Sequence, residues 1–217
     1  MIDIVDRIQL NIDRRLYSCG IFIDLKNAFD TVDHSILLEK LEHNDIRVVV
    51  NNWFSSSLTD RYQSTQIRSC NPKKAKTLCG VPQGSAPGPL LFLLYINEIY
   101  NSSEKFSFYL FAEDNNVLYA YKNLRSFENT VNAELINVSN WLRANKLSLN
   151  VTKSSLLYFV LIRKKIDYNV DLKIDDFRLN SYVSLEHRDH VKYLGILLDS
   201  NLSWKYHIAY HLASWRG

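Results

Sequence analysis

Residues 106–121 read FSFYLFAEDNNVLYAY. Two apolar runs, Phe106 to Phe111 and Val117 to Tyr121, flank the adjacent acids Glu113 and Asp114. The pattern predicts a β-hairpin with carboxylates at its tip. A second acid-terminated run lies upstream, Ile21-Phe22-Ile23-Asp24. Acids delivered at the ends of neighbouring strands can meet across a sheet. Two-metal phosphoryl transfer depends on such a cluster, because ions about 3.5–4 Å apart share its carboxylates. Taken alone, the tip reads better as a solvated turn.

Outward from this hairpin the chain shows alternating elements. Ile4, Ile8, Ile12 and Leu16 recur at steps of four and predict a helix, broken at Gly20 before a strand over Ile21 to Asp24. Helices are expected over Ser35 to Leu41 and Val48 to Leu58, the latter with Val49, Trp53 and Phe54 as one apolar stripe. Tyr62 to Arg68 alternates and is partly β-branched, which predicts a strand, and Asn71 to Lys74 is a loop. A Pro- and Gly-rich turn leads into a helix from Leu90 to Ile99. After the hairpin, Leu124, Phe127, Val131, Leu135, Val138 and Leu142 step by three and four, which marks a long amphipathic helix. A turn over Asn145 to Asn150 precedes a strand from Ser155 to Leu161. The polar stretch Arg163 to His190 suggests a loose hairpin, Val191 to Leu198 a strand, and Trp204 to Trp215 a helix. This order implies an α+β fold, a mostly antiparallel sheet backed by helices.

Composition sets outer bounds. The 217 residues allow one domain, and 47% hydrophobic with 23% charged residues suits a packed globular chain. The net charge of +3 permits a nucleic-acid partner without requiring one. Cys19, Cys70 and Cys79 lack zinc-finger spacing, and their odd number suggests reduced thiols inside a cell, in nucleus or cytoplasm. Asp3, Asp6 and Arg7 interrupt any apolar signal core, and the longest apolar run, Leu90 to Ile96, is too short for a bilayer span, so no membrane partner is expected.

Three stretches resemble the catalytic motifs of reverse transcriptases from non-LTR, LINE-like retrotransposons. The stretch from Phe22 to His34, FIDLKNAFDTVDH, is similar to the first motif; Gly80 to Phe92, GVPQGSAPGPLLF, to the second; and Phe111-Ala-Glu-Asp114 to the third. They stand in the family's order. The resemblance covers nearly the whole chain and implies the palm of a right-handed polymerase, an RNA-directed DNA polymerase working on an RNA template, a DNA primer and dNTPs. It implies two Mg2+ ions, with Mn2+ as a substitute, held by Asp24, Glu113 and Asp114 and by the backbone carbonyl of Leu25. Backbone amides near Asn27 and Ala28 would meet the incoming triphosphate. Phe29 would block the ribose 2′-hydroxyl, although an isolated Phe is usually core. Gln83 and Gly84 would lie against the nascent base pair, with Gly84 allowing close approach of the backbone.

Lys146 to Lys153, KLSLNVTK, resembles the next family motif, and Lys153 would act on the leaving pyrophosphate. Lys192 to Leu198 resembles the strand pair that grips the primer's 3′ end. Asp30 and His34 are expected to be structural, and Arg163-Lys164-Lys165 reads as a solvated basic loop.

Departures from the family accompany the matches. The family's third motif has Asp where this chain has Glu113, its usual Gly before Ile46 is Asp45, and Ala86-Pro87 replaces an apolar pair. Pro87 is expected to disturb the first turn of the following helix. The finger motifs that come first in the family and the thumb that follows the primer grip are expected to be missing, leaving one palm over residues 1–217. Glu keeps the acid's charge but adds a methylene, and Mg2+ tolerates displaced ligands poorly, so impaired activity is expected. The alternative is a catalytically inactive, retrotransposon-derived module that binds nucleic acid.

Overall fold

The five central strands order as β4-β5-β1-β6-β9 in the computed structural model. It describes residues 2–64, 74–82, 84–112, 114–123, 126–159, 170–176 and 181–214. Strand β1 spans Tyr17–Ile23, β4 Ser107–Phe111, β5 Asp114–Tyr121, β6 Ser155–Phe159 and β9 Glu186–His187. All neighbours are antiparallel except β6 and β9. The α+β reading therefore holds, with β1 and β5 central.

Strand β1 explains the sheet's two-sided core. Cys19, Ile21 and Ile23 face one apolar cluster, and Phe22 faces the other. A strand buried on both faces reads as a continuous apolar run, which is how YSCGIFI appears. Gly20 was expected to end the first helix; it lies inside β1 instead, and helix α1 (Ile2–Asp13) ends earlier. A Cβ on Gly20 would meet the rings of Phe159 and Phe22 at 3.0 Å, so its lack of a side chain makes room for two aromatics.

Helices α2 (His34–His43), α4 (Pro87–Ile96) and α5 (Phe127–Ala144) cover one face, contributing Leu37, Leu41, Phe92, Tyr95, Val131, Leu135 and Val138 to its cluster. Asp33 caps α2 by accepting from the N–H groups of Ser35 and Ile36 at 3.0 and 3.1 Å, a contact worth about 1 kcal/mol. Pro87 does not disturb α4. It occupies the first turn, where no intrahelical partner awaits its missing N–H and its fixed φ suits the helix. Helix α4 runs into a 3-10 turn, Asn97–Ser102.

Helix α3 (Val49–Leu58) forms as expected, but its stripe does not bury as one: Phe54 is 9% exposed, whereas Val49 is 77% and Trp53 58% exposed. The short strands β2 (Tyr62–Gln63) and β3 (Ala75–Lys76) pair; most of the strand expected over Tyr62 to Arg68 lies outside the described residues. The polar stretch after β6 does contain a hairpin, β7 (Lys173–Asp176) with β8 (Ser181–Ser184), where Lys173 N–H donates to Asn132 of α5 at 2.8 Å.

The other sheet face carries α1 and a second hairpin. The strand expected over Val191 to Leu198 is two, β10 (His190–Tyr193) and β11 (Ile196–Asp199), joined by the two-residue turn Leu194-Gly195. Ile4 and Ile8 of α1 pack with Val191, Tyr193 and Leu198 against Phe22, Leu118, Leu157 and Phe159. The final helix, α6 (Lys205–Ser214), packs on β11. No helix among the described residues is long and apolar enough to cross a membrane.

Candidate active site

Pairing of β1 with β5 places Ile23 opposite Asn115. Asp24 follows Ile23 directly and Asp114 precedes Asn115 directly, so two acids 90 positions apart in sequence stand at the same end of the sheet and line one cleft. Asp114 is the first residue of β5, directly opposite Phe111 across the tip. Although much of Asp114 is exposed, protein crowds its carboxyl and raises its pKa, and the negative charge of Asp24 raises it further.

The sign of that shift has a consequence for stability. A carboxyl whose folded pKa is raised binds protons more readily in the folded state, so its ionisation opposes folding. Asp114→Asn should therefore raise the melting temperature of the metal-free chain at pH 7. The gain should shrink once pH falls below the raised pKa of Asp114 and vanish below the ordinary carboxyl value, where the Asp is protonated in folded and unfolded chains alike. A thermal-melt series against pH reads this directly, and an Asn variant that melts lower at neutral pH contradicts the crowding.

Asp24 is anchored through its backbone. Its N–H donates to Ser154 Oγ at 3.1 Å, and its carbonyl accepts from Asn150 N–H at 2.9 Å. Ser154 Oγ in turn donates to the Asn150 carbonyl at 3.0 Å. The turn from Asn150 to Ser154 is thereby bound to the end of β1, and Lys153 enters the same cleft as the two acids. That cleft, of about 340 Å³, is lined by Phe22, Asp24, Asp114, Asn116, Lys153, Ser155, Arg188, Val191 and Lys192, with Ile23 completing its wall. The β10–β11 hairpin stands over it, and the charge of Asp114 adds to the burial that raises the Tyr193 hydroxyl's pKa.

Leu25 is buried and bridges Leu149, while Lys26 N–H donates to the Ser148 carbonyl at 2.8 Å. Asn27 follows in the left-handed region with φ 49°, leading into the 3-10 turn Ala28–Thr31. Ala28 is core. Phe29 is half-buried, its ring 4.8 Å from that of Phe92. This turn also holds the second motif, since the carbonyls of Phe29 and Val32 accept from Val81 and Gly80 N–H at 2.8 and 2.7 Å. Gly80 has φ +88°, and a Cβ there would lie 2.8 Å from the Asp30 carbonyl oxygen. Gly80→Ala should destabilise the chain by at least about 2 kcal/mol, read by urea unfolding, because both the backbone conformation and the contact oppose a side chain. An unchanged midpoint would remove this junction from the account.

Gly84 has φ +81°, and among the described residues nothing beyond its chain neighbours lies within 4 Å of the position a Cβ would take. His34 is structural, as expected: Nε2 lies 2.8 Å from the Gly80 carbonyl oxygen. Gln83, Glu113 and Arg163 to Lys165 lie outside the described residues. The structure thus brings Asp24, Asp114 and Lys153 into one cleft, and joins Phe29 to the turn before Gly84. It adds Asn116 and Arg188, which sequence reasoning did not single out, and the side chain of Lys192, which it left without a role inside the stretch from Lys192 to Leu198. For Asn116 the signal was available: it stands two residues beyond Asp114 and shares its strand face.

Among the described residues no group of three or more His, Cys, Asp or Glu side chains comes together. The paired carboxylates nonetheless fit a hard divalent cation, which takes oxygen ligands and relieves the like-charge crowding at Asp114.

Comparison with known proteins converges on one family. The sequence model described as reverse transcriptase (RNA-dependent DNA polymerase) matches residues 3–198. The probable RNA-directed DNA polymerase from transposon X-element of Drosophila melanogaster is 26% identical over 209 residues, covering 94% of this chain and 22% of the relative. The RNA-directed DNA polymerase from mobile element jockey of the same species is 25% identical over 206 residues, covering 90% and 21%. The Pol polyprotein from type-1 retrotransposable element R2 of Popillia japonica is 29% identical over 162 residues, covering 65% and 21%. The chain spans about a fifth of the length of these relatives. Among solved structures, telomerase from Candida tropicalis in complex with a fragment of telomeric RNA superposes with a TM-score of 0.58 at 11% identity, covering 92% of this chain and 31% of that one. Telomerase from Candida albicans gives 0.55 at 13%, covering 93% and 33%.

Proposed function

Since the chain belongs to the reverse transcriptase family, with LINE-like retrotransposon polymerases as relatives, we propose that it is the palm of an RNA-directed DNA polymerase, one domain over residues 1–217. The observation that carries this is the placing of Asp24 and Asp114 at the same end of the sheet, in a cleft shared with Lys153. The names of the relatives and the RNA in the telomerase complex support an RNA template.

The reaction is transfer of a deoxynucleotide. The primer's 3′-hydroxyl oxygen forms a bond to the α-phosphorus of a dNTP as the bond to pyrophosphate breaks. Asp24, Glu113 and Asp114 with the Leu25 carbonyl would hold two Mg2+ ions. Bound there, the ions supply positive charge to the attacking and leaving oxygens. Lys153, on the turn bound to Asp24, donates a proton to the departing pyrophosphate or balances its charge as an ammonium. Asn27 and Ala28 offer backbone amides to the triphosphate. Phe29, its ring packed on that of Phe92, would block a ribose 2′-hydroxyl. Gln83 and Gly84 lie against the new base pair.

Glu113 in the place of the family's Asp favours a second reading, a module that binds template and primer without turnover. Primer extension on an RNA template, with Mg2+ and with Mn2+, separates the two. Incorporation in either metal supports the polymerase. Salt-sensitive hybrid binding without incorporation in both supports the binding module.

A further inference from the structure

The segment that brings Lys153 to the cleft is fastened to the first motif at both ends. Near the cleft it is held at Asp24, whose carbonyl accepts from Asn150 N–H at 2.9 Å. Leu25 then bridges Leu149 in antiparallel fashion, and Lys26 N–H donates to the Ser148 carbonyl at 2.8 Å. Leu147, Ser148 and Leu149 are buried, so the stretch cannot shift without repacking its surroundings.

The far end is held by side chains that do not line the cleft. Lys146 leaves α5 in the left-handed region, φ 54°, and Leu147 N–H closes the helix end on the Leu142 carbonyl at 2.9 Å. The Lys146 ammonium pairs with Asp33 Oδ2 at 2.5 Å, while Oδ1 of the same acid caps α2. The Tyr95 hydroxyl links the two backbones at this point: it donates to the Asn145 carbonyl at 2.7 Å and accepts from Asp33 N–H at 3.4 Å. Tyr95 is fully buried, and burial pushes its pKa up to about 12, so the hydroxyl keeps the proton it donates. A buried hydroxyl that satisfies two backbone groups is costly to remove. The Lys146 pair is more exposed and is weakened by salt.

We propose that Tyr95 and the Asp33–Lys146 pair form a latch that fixes this segment against the first motif and so sets where Lys153 meets the leaving pyrophosphate. The inference rests on the polymerase reading of the cleft. All three act through Lys153 and are positioning residues. A segment pinned only at Asp24 can pivot there; pinned also at Asp33 it cannot. A group misplaced by about 1 Å loses on the order of a hundredfold in rate, so a loosened latch should cost a fraction of that.

The test is single-turnover incorporation on an RNA template, in Mg2+ and in Mn2+, from dNTPs with altered leaving groups. The oxygen bridging the β- and γ-phosphates is kept, or replaced by CH2 or by the more electron-withdrawing CF2, which changes the acidity of the departing group. A well-placed proton donor makes the rate nearly indifferent to that acidity, whereas a misplaced one makes the rate rise with it. Tyr95→Phe should slow the least acidic leaving group roughly tenfold and the most acidic only about twofold, with KM nearly unchanged. Lys146→Met, at an exposed position, should show the same pattern at roughly threefold, and Lys146→Arg should restore the parent's behaviour. These two keep the test valid if Tyr95→Phe folds poorly. Lys153→Met should show the steep dependence alone, and adding Lys146→Met to it should change nothing further. Parental rates in both latch variants, or slowing that is uniform across the leaving groups, overturn the latch and leave the polymerase reading standing. No incorporation by the unmodified chain in either metal overturns both.

Discussion

Asp24→Ala should abolish RNA-templated primer extension, lowering incorporation by at least about a thousandfold, equivalent to about 4 kcal/mol of transition-state stabilisation. Asp24 reaches the site from β1 and Asp114 from β5, so removing Asp24 takes away one of the two strands that deliver charge. The loss will not come from unfolding. The bonds that hold this position, to Ser154 Oγ and from Asn150 N–H, use the backbone of Asp24 and survive truncation of its side chain. The change also removes a negative charge that raises the pKa of Asp114. The variant should therefore melt at or above the parent's temperature while losing turnover. Single-turnover incorporation measured alongside a thermal melt checks both halves. Parental incorporation in a folded Asp24→Ala chain would remove Asp24 from the catalytic set.

Glu113→Asp should raise incorporation in Mg2+, by about a hundredfold. A ligand displaced by about 1 Å costs on that order in rate, or about 2.7 kcal/mol of barrier. Mg2+ demands near-octahedral geometry and does not adjust to an extra methylene. The hairpin has no means of absorbing it by sliding. Phe111 pairs with Asp114, and a slip of one residue would carry Asp114 to the opposite sheet face. Mn2+, with laxer demands, should narrow the gap between the Glu and Asp forms. Equal rates for the two forms in Mg2+ would show that position 113 does not ligate. Silence in both, from folded protein that binds hybrid, would establish the binding module.

The chain's motifs were legible because each is local. The acid-tipped hairpin declares itself through two apolar runs around Glu113 and Asp114, and the turn before α4 through its prolines and glycines. Helix α5 is legible because one apolar face repeats for five turns. Where local signals were followed too literally they misled. Gly20 resembles a helix breaker in sequence, yet it sits in β1 because the rings of Phe22 and Phe159 occupy the space a side chain would take. Pro87 resembles a disruption, yet at the start of α4 its missing N–H has no cost. Val49 and Trp53 follow helical spacing with Phe54, but spacing cannot state which face finds a partner.

By itself, then, the sequence carried the antiparallel α+β order, because apolar periodicity is a property of neighbouring residues, and its motifs carried the resemblance to the family that made Asp24, Asp114 and Lys153 candidates. Only the tertiary structure decided that Asp24 and Asp114 share one cleft, since register between distant strands arises from packing both faces of β1 at once. It also decided that Val191 to Leu198 folds back as a hairpin over the cleft, and that Asn116 lies buried in that cleft. Burial and pairing depend on what arrives from elsewhere in the chain, and no window of sequence contains that information.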